Sequence, residues 1–241
     1  FFLSTRFFIL FFEGLDLFGG QKNIKNEIGI VESFSLTKKT LEKLNFRTSY
    51  YHSGSFKSDD IYKKTPFTVT IDKYQPQSIN QKFFIKIVSE DEFILTVNFN
   101  NVKLFDVSTE TFISNKEYDY HYEGSHKFDE KINTDFFSYT ISKNDLSLFK
   151  DEGWVNYFFV ISSYNDLTKN YLKSLEVLEI EKDASILKIS LEGSNPVKIN
   201  DFLNKFTELY LATDLDEKNQ ITSNTIQFIN EQLTSISDSL S

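Results

Sequence analysis

Histidine, cysteine and clustered carboxylates are the side chains that most often carry chemistry, and this sequence offers few of them. There are three histidines, His52, His121 and His126, and no cysteine. The missing cysteine removes disulfides, thiolate catalysis and sulfur-ligated metals together. His121 and His126 are five residues apart in a stretch that reads as strand then turn. That spacing puts them on opposite faces of a regular strand, and a third metal ligand would have to come from Glu123 or Asp129. Surface histidines are the better reading. Glu90, Asp91 and Glu92 form the densest carboxylate run. Glycoside cleavage uses a pair of carboxylates facing each other across a bond, whereas these are consecutive and in a turn, where water solvates them. No phosphate-cradling Gly-x-x-x-x-Gly-Lys motif, dinucleotide Gly-x-Gly-x-x-Gly, Gly-x-Ser-x-Gly elbow or His-Glu-x-x-His pair occurs. The sequence therefore predicts no catalytic residue, no metal and no cofactor, and the chain is not expected to be an enzyme.

One aromatic constellation remains. Tyr118, Tyr120 and Tyr122 alternate, so they share one face of a strand, with Asp119, His121 and Glu123 on the other. Such a strip can stack sugar rings, with Trp154 near Tyr157 adding to it, which makes Tyr118, Tyr120 and Tyr122 candidate glycan-facing residues. The competing and favoured reading is a sheet face packed on the core.

Elements must position these residues. The 241 residues suggest one domain or two small ones, enough to bury a proper core. The formal net charge of −9 argues against nucleic acid, which needs a basic footprint. With no methionine, even at position 1, the sequence is expected to be a fragment or processed piece. Residues 1–14 begin with a strongly apolar run, Phe1 to Phe12. It is too short for a membrane span, which takes about 20 apolar residues, and it lacks a signal-peptide cleavage pattern. An edge strand, the stub of a membrane helix and an artefact all fit it.

Residues 15–65 read as the N-terminal helical part of an α/β domain. Ile24, Ile28, Val31, Leu41 and Leu44 give helical spacings between about 22 and 45, broken near Ser35-Leu36-Thr37, with Ser35 or Thr37 as cap of the second helix. Residues 66–155 read as a β-rich insert. Alternating runs at 66–71, 83–88 and 93–99 lead it, the last two joined as a hairpin through Ser89-Glu90-Asp91-Glu92. Residues 156–200 read as an α/β core in the order β-α-β-β-α, with Asn165 capping the first helix and Asn195-Pro196 opening the second. Residues 201–241 continue that helix without proline or glycine. The expected fold is α+β: a split β-α-β-β-α unit with a long C-terminal helix and an inserted all-β subdomain.

The last helix carries the clearest local signal. Ile226, Ile229, Leu233, Ile236 and Leu240 are spaced three, four, three, four, which is a heptad seam. The seam is still running where the sequence stops, so the native protein is expected to continue.

Several segments together resemble one family. Leu15-Asp16-Leu17-Phe18-Gly19-Gly20 followed by Asn26 to Ser33 resembles the start of the first helix of Wzz-like polysaccharide chain-length determinants, including the Bacteroidetes-type capsule-export tyrosine autokinases. Leu36 to Asn45 looks like that helix's end. Ser185 to Leu191 with Gly193-Ser194-Asn195-Pro196 resembles the strand-to-helix junction. Asp201-Phe202-Leu203-Asn204, Thr225 to Leu233 and Ser237 to Leu240 resemble the long helix. The β-rich middle looks like the insert of larger members.

The resemblance implies an extracytoplasmic domain of a polysaccharide co-polymerase at the periplasmic face of the bacterial inner membrane, held there by flanking membrane helices that this sequence lacks. It implies self-association, with a ring as the form, and partnership with the polysaccharide polymerase and export machinery, with glycan contact as an open addition. It would regulate the chain length of capsular or exopolysaccharide. A tyrosine kinase domain would belong to the parent protein. Three rivals stand beside it: an extracytoplasmic carbohydrate-binding module, a periplasmic adaptor of an export pump, and a hydrolase assembled from scattered acids.

Overall fold

The computed structural model describes residues 4–11, 24–54, 58–144, 156–180 and 186–240. The chain runs through β1 (Ser4–Phe11), α1 (Ile24–Val31), α2 (Phe34–Lys43), β2 (Thr48–Ser53), β3 (Ser58–Asp60), β4 (Phe67–Ile71), β5 (Gln77–Ser78), β6 (Lys82–Ile87) and β7 (Glu92–Val102). It continues through β8 (Leu104–Asp106), β9 (Thr111–Phe112), β10 (Tyr118–Lys127), β11 (Lys131–Asn133), β12 (Ser138–Lys143) and β13 (Asn156–Ile161). The last elements are α3 (Tyr164–Ser174), β14 (Leu175–Glu179), β15 (Ile186–Gly193) and α4 (Pro196–Leu240). The fold is α+β, with antiparallel sheets and a long C-terminal helix.

The alternating runs build a β-sandwich. Phe83, Ile85, Phe93, Leu95, Val97 and Phe99 point to one side of β6 and β7 and are buried, while their alternate neighbours are more exposed. That is the period of two expected when one sheet face is dry. The expected hairpin is present: Phe83 pairs with Val97 and Ile87 with Phe93. The six-stranded sheet has the order β10-β7-β6-β13-β2-β3, and the sheet β11-β12-β4 contributes to the same core. Rings fill the space between them. Phe83 stacks on Phe159 at 4.9 Å, and Phe67, Phe137 and Tyr139 meet this pair edge-on or through one another.

The second core lies between the helices and the sheet β1-β15-β14. Leu187, Ile189 and Leu191 on β15 face Phe202, Leu203 and Phe206 on α4, with Leu41 of α2 also buried there. The N-terminal apolar segment supplies β1, whose Ser4–Phe11 pair antiparallel with Gly193 back to Ile186. Of the three readings open for that segment, this is the edge strand.

Two caps and one sheet assignment differ from expectation. The second helix is capped by Ser33, whose hydroxyl accepts from Leu36 N at 3.2 Å, and not by Ser35 or Thr37, which lie inside it. It ends as the chain passes into the left-handed region at Asn45 (φ 53), where Phe46 N reaches back to Leu41 O. The third helix is capped by Ser163 and not Asn165. The order β13-α3-β14-β15-α4 is as expected, but β13 pairs with β6 and β2 in the six-stranded sheet and not with β14 or β15. The β-structure of the sandwich thus draws on β2 and β3 before residue 66 and on β13 after 155.

Candidate functional site

The long helix begins where the sequence places it. Asn195 Oδ1 accepts from Val197 N at 3.0 Å and from Lys198 N at 3.1 Å, so it satisfies two of the donors that open every helix. Pro196 takes the first helical position, where its missing N–H costs nothing. The helix then runs 45 residues.

Its first turns are anchored by polar contacts to one neighbouring segment. Asn195 Nδ2 donates to Asp60 O at 2.9 Å. Lys198 Nζ reaches Asp60 Oδ2 and Ser49 Oγ, both at 3.0 Å, and lies over the Phe46 ring at 5.3 Å. Only 13% of the lysine side chain and 8% of the aspartate side chain are exposed, so this is a shielded ion pair. One turn on, Asp201 accepts from Tyr62 Oη at 2.8 Å and from Lys63 at 2.5 Å. Partial burial works to raise the Asp201 carboxyl, yet these two donors hold it below the usual carboxylate range. Burial, and then the hydrogen-bonded Asp201 carboxylate, push the Tyr62 phenol upward. Ser49, Asp60, Tyr62 and Lys63 all belong to the β2–β3 edge of the sandwich sheet or the residues just after it. That edge therefore fixes the direction in which α4 leaves.

A second tie joins sandwich and helices. Glu110, in the left-handed region at φ 58, pairs with Arg47 and accepts from Tyr164 N at 2.8 Å at the start of α3. The Arg47 guanidinium lies 4.2 Å from the Tyr164 ring centroid.

Inside the domain α4 buries Ile199, Phe202, Leu203, Phe206 and Tyr210. After Tyr210 no described side chain of the helix is buried. Roughly 30 residues remain, which at about 1.5 Å each carry the helix about 45 Å further. The predicted seam lies on this projecting part. Ile226, Ile229, Leu233 and Ile236 are between 50% and 60% exposed. The side chain of Leu240 lies outside the described residues. At about 100° per residue, Leu211 and Leu215, also exposed, fall on the same stripe and carry it down toward the body. The stripe is turned by roughly 140° from the face that the root of the helix buries. It is therefore not a continuation of the core, and its side chains stand half-exposed.

Between residues 226 and 236 the edges of the seam are uncharged, whereas lower down Lys218 falls on the stripe itself. Thr225, Asn230, Gln232 and Ser237 flank it, and the acids of this stretch, Glu231 and Asp238, stand on the opposite side of the helix. Copies of such a helix can meet along residues 226–236 without like-charge repulsion.

The other sequence-predicted residues are dispersed. Tyr118, Tyr120 and Tyr122 share one face of β10 and are half-buried. Tyr120 stacks on Phe136 at 4.1 Å and on Tyr122 at 6.3 Å, and Tyr122 meets Phe137 edge-on. Tyr120 and Tyr122 pack on the sandwich core. Trp154 lies outside the described residues. His121 is exposed and His126 sits on the opposite, inward face, as their spacing requires. The Tyr122 hydroxyl and His126 Nε2 lie 2.7 Å apart across Gly124, where a Cβ would come within 2.6 Å of the hydroxyl. Only glycine leaves room for that contact. Desolvation depresses the His126 imidazole, with Glu130 acting weakly the other way. Asp91, in the carboxylate run, is exposed and pairs with Lys143 at 3.3 Å. Among the described residues, no three His, Asp or Glu side chains gather closely enough to hold a metal ion. No described helix is long and apolar enough to cross a membrane.

The five seam positions lie on one helix, as expected, but the contacts at the helix root left no mark in the sequence. The Lys198–Asp60 pair joins residues 138 positions apart, a separation that leaves no local pattern. Leu211 and Leu215 were legible from helical periodicity once the helix was taken as continuous.

No protein-family model matches this chain, and no curated protein matches it. Among solved structures, the FlgL protein of Xanthomonas campestris is similar at 10% sequence identity and a TM-score of 0.24. The alignment covers 78% of this chain and 55% of FlgL, and a score that low carries no argument about fold or function.

Proposed function

We propose that this chain is the extracytoplasmic domain of a membrane-anchored polysaccharide co-polymerase, an assembly module and not a catalyst. In this reading copies associate side by side into a ring at the periplasmic face of the inner membrane. The ring regulates the chain length and export of capsular or exopolysaccharide by geometry, in company with the polymerase and export machinery. The membrane helices, and any tyrosine kinase domain, belong to other parts of the parent protein.

One observation carries the proposal: an apolar seam on a helix that projects about 45 Å past its own core and is turned away from it. Four half-exposed isoleucine and leucine side chains in a row are a persistent cost in water, removed when a partner helix covers them. The uncharged flanks of the seam suit a second copy of the same helix. The sequence resemblance to chain-length determinants, which runs from about residue 15 to the end of the seam, supplies the biological setting. Leucine alternating with isoleucine along the seam, with Leu233 between Ile229 and Ile236, favours bundles of higher order than a pair.

The test is made in cells that depend on the parent protein for surface polysaccharide. Ile229→Asp with Leu233→Asp should broaden or shift the length distribution of the exported polymer while leaving the protein's abundance intact. An unchanged distribution at normal abundance would remove the seam from chain-length control.

A further inference from the structure

At the root of α4 lies a cavity of about 190 Å³. Four elements meet there: the end of β3, the last turn of α3, the end of β15 and the first turn of α4. Its floor is apolar, with Leu191 and Ile199 buried. Its rim is polar, with Asn170, Ser174 and Ser194 exposed. At about 30 Å³ per water it has room for about six waters, the space of one six-membered ring with its hydroxyls and less than a drug-sized ligand fills. Tyr171 supplies the observation that points to a ligand. Its ring is held in the second core, 4.7 Å from Phe202 and 6.3 Å from Phe46. The residue lines the cavity, yet its hydroxyl has no hydrogen-bond partner among the described residues. Burial, and then the charge of Asp60, push that phenol upward, so it stays protonated and can donate. A largely buried hydroxyl without a partner costs stability unless something in the cavity accepts from it.

The lining does not suit an anion. A helix start offers an anion its first N–H groups, but here those of Val197 and Lys198 go to Asn195 Oδ1, that of Ile199 goes to Asn195 O, and Pro196 has none. Lys198 is already paired with Asp60, and Glu192 leaves the lining net negative. We infer that this cavity binds one uncharged pyranose residue, free or at the end of a glycan. Such a ring carries C–H groups on its faces, which suit Leu191 and Ile199. It carries hydroxyls around its edge, which suit the polar rim and can accept from Tyr171. The inference draws on the cavity alone and not on the self-association proposed above.

The full chain is titrated with glucose, galactose, mannose, N-acetylglucosamine and their methyl glycosides, and with glucuronate and inorganic phosphate as charged probes. The expected result is saturable binding of at least one uncharged sugar, with a melting temperature that rises as the sugar is added. Binding of the methyl glycoside as well admits the end of a glycan, and binding of the free sugar only admits a free sugar; either supports the site. Tyr171→Phe should weaken binding about tenfold, with the melting temperature of the sugar-free chain unchanged, because the lost hydroxyl has no protein partner. Ser174→Trp, at the exposed rim, should abolish binding by filling the mouth, and it decides the matter if Tyr171→Phe does not fold. No saturable binding of any uncharged sugar would overturn the inference, and so would tighter binding of glucuronate or phosphate. Undiminished binding by Ser174→Trp, or by folded Tyr171→Phe, would place the sugar elsewhere and overturn it too.

Discussion

Single residues determine how the helix root is held and how the sandwich responds to acid. The Lys198–Asp60 pair is shielded from water, and removing one member leaves the other charge buried without its partner. Lys198→Met should therefore destabilise the domain by about 3 kcal/mol in urea unfolding, while Lys198→Met with Asp60→Asn should recover part of that loss. A double variant no more stable than the single one would show that the pair is not coupled. His126 makes a separate prediction. Its folded-state pKa lies below the unfolded value of 6.5, so the folded state favours the neutral ring that sits against Tyr122. The stability this contributes is fully present above pH 6.5 and is lost as pH falls through that value toward the folded pKa. The melting temperature should drop between pH 7 and pH 5, and His126→Gln should flatten that slope. An equal slope in the variant would assign it to other groups. Neither the ion pair nor the Tyr122–His126 contact was legible in the same way: His126 and Tyr122 share a strand face four residues apart, whereas Asp60 and Lys198 meet only through the fold.

At the scale of elements, local chemistry decided most starts and stops. The Asn195-Pro196 junction was readable because a side-chain acceptor before a proline leaves the backbone one comfortable continuation. Asn195→Ala should cost about 1 kcal/mol in denaturant unfolding, with additional loss from the broken contact to Asp60 O. A stability equal to that of the parent would mean that solvent replaces the cap. Ser33 and Ser163 escaped notice because Ser35, Thr37 and Asn165 stand within four residues of them with the same capping chemistry. Which hydroxyl caps depends on where the first buried turn must sit, and burial is a tertiary property. The alternating strands of the sandwich were legible because one face is dry. The place of β13 was not, because strand order along the chain does not determine which edge a strand joins. The buried run of β13, Tyr157 to Ile161, reads the same in either sheet.

The whole molecule is a sandwich and an α/β layer sharing one border, with a long helix leaving it. The border is polar and specific: Arg47, Glu110 and Tyr164 on one tie, Asp60, Lys198 and Asp201 on the other. These ties set a direction for the helix, and direction matters only if something lies along it. The seam is turned away from the face that the helix root buries, and its edges between residues 226 and 236 are neutral. The self-association proposed above would account for both. Sedimentation velocity on the unmodified chain and on Ile229→Asp with Leu233→Asp tests it most directly. The account predicts that the unmodified chain sediments as an oligomer, and that the variant sediments as a monomer with an unchanged circular dichroism spectrum. An unmodified chain that stays monomeric at every concentration, or a variant that assembles as before, would contradict it.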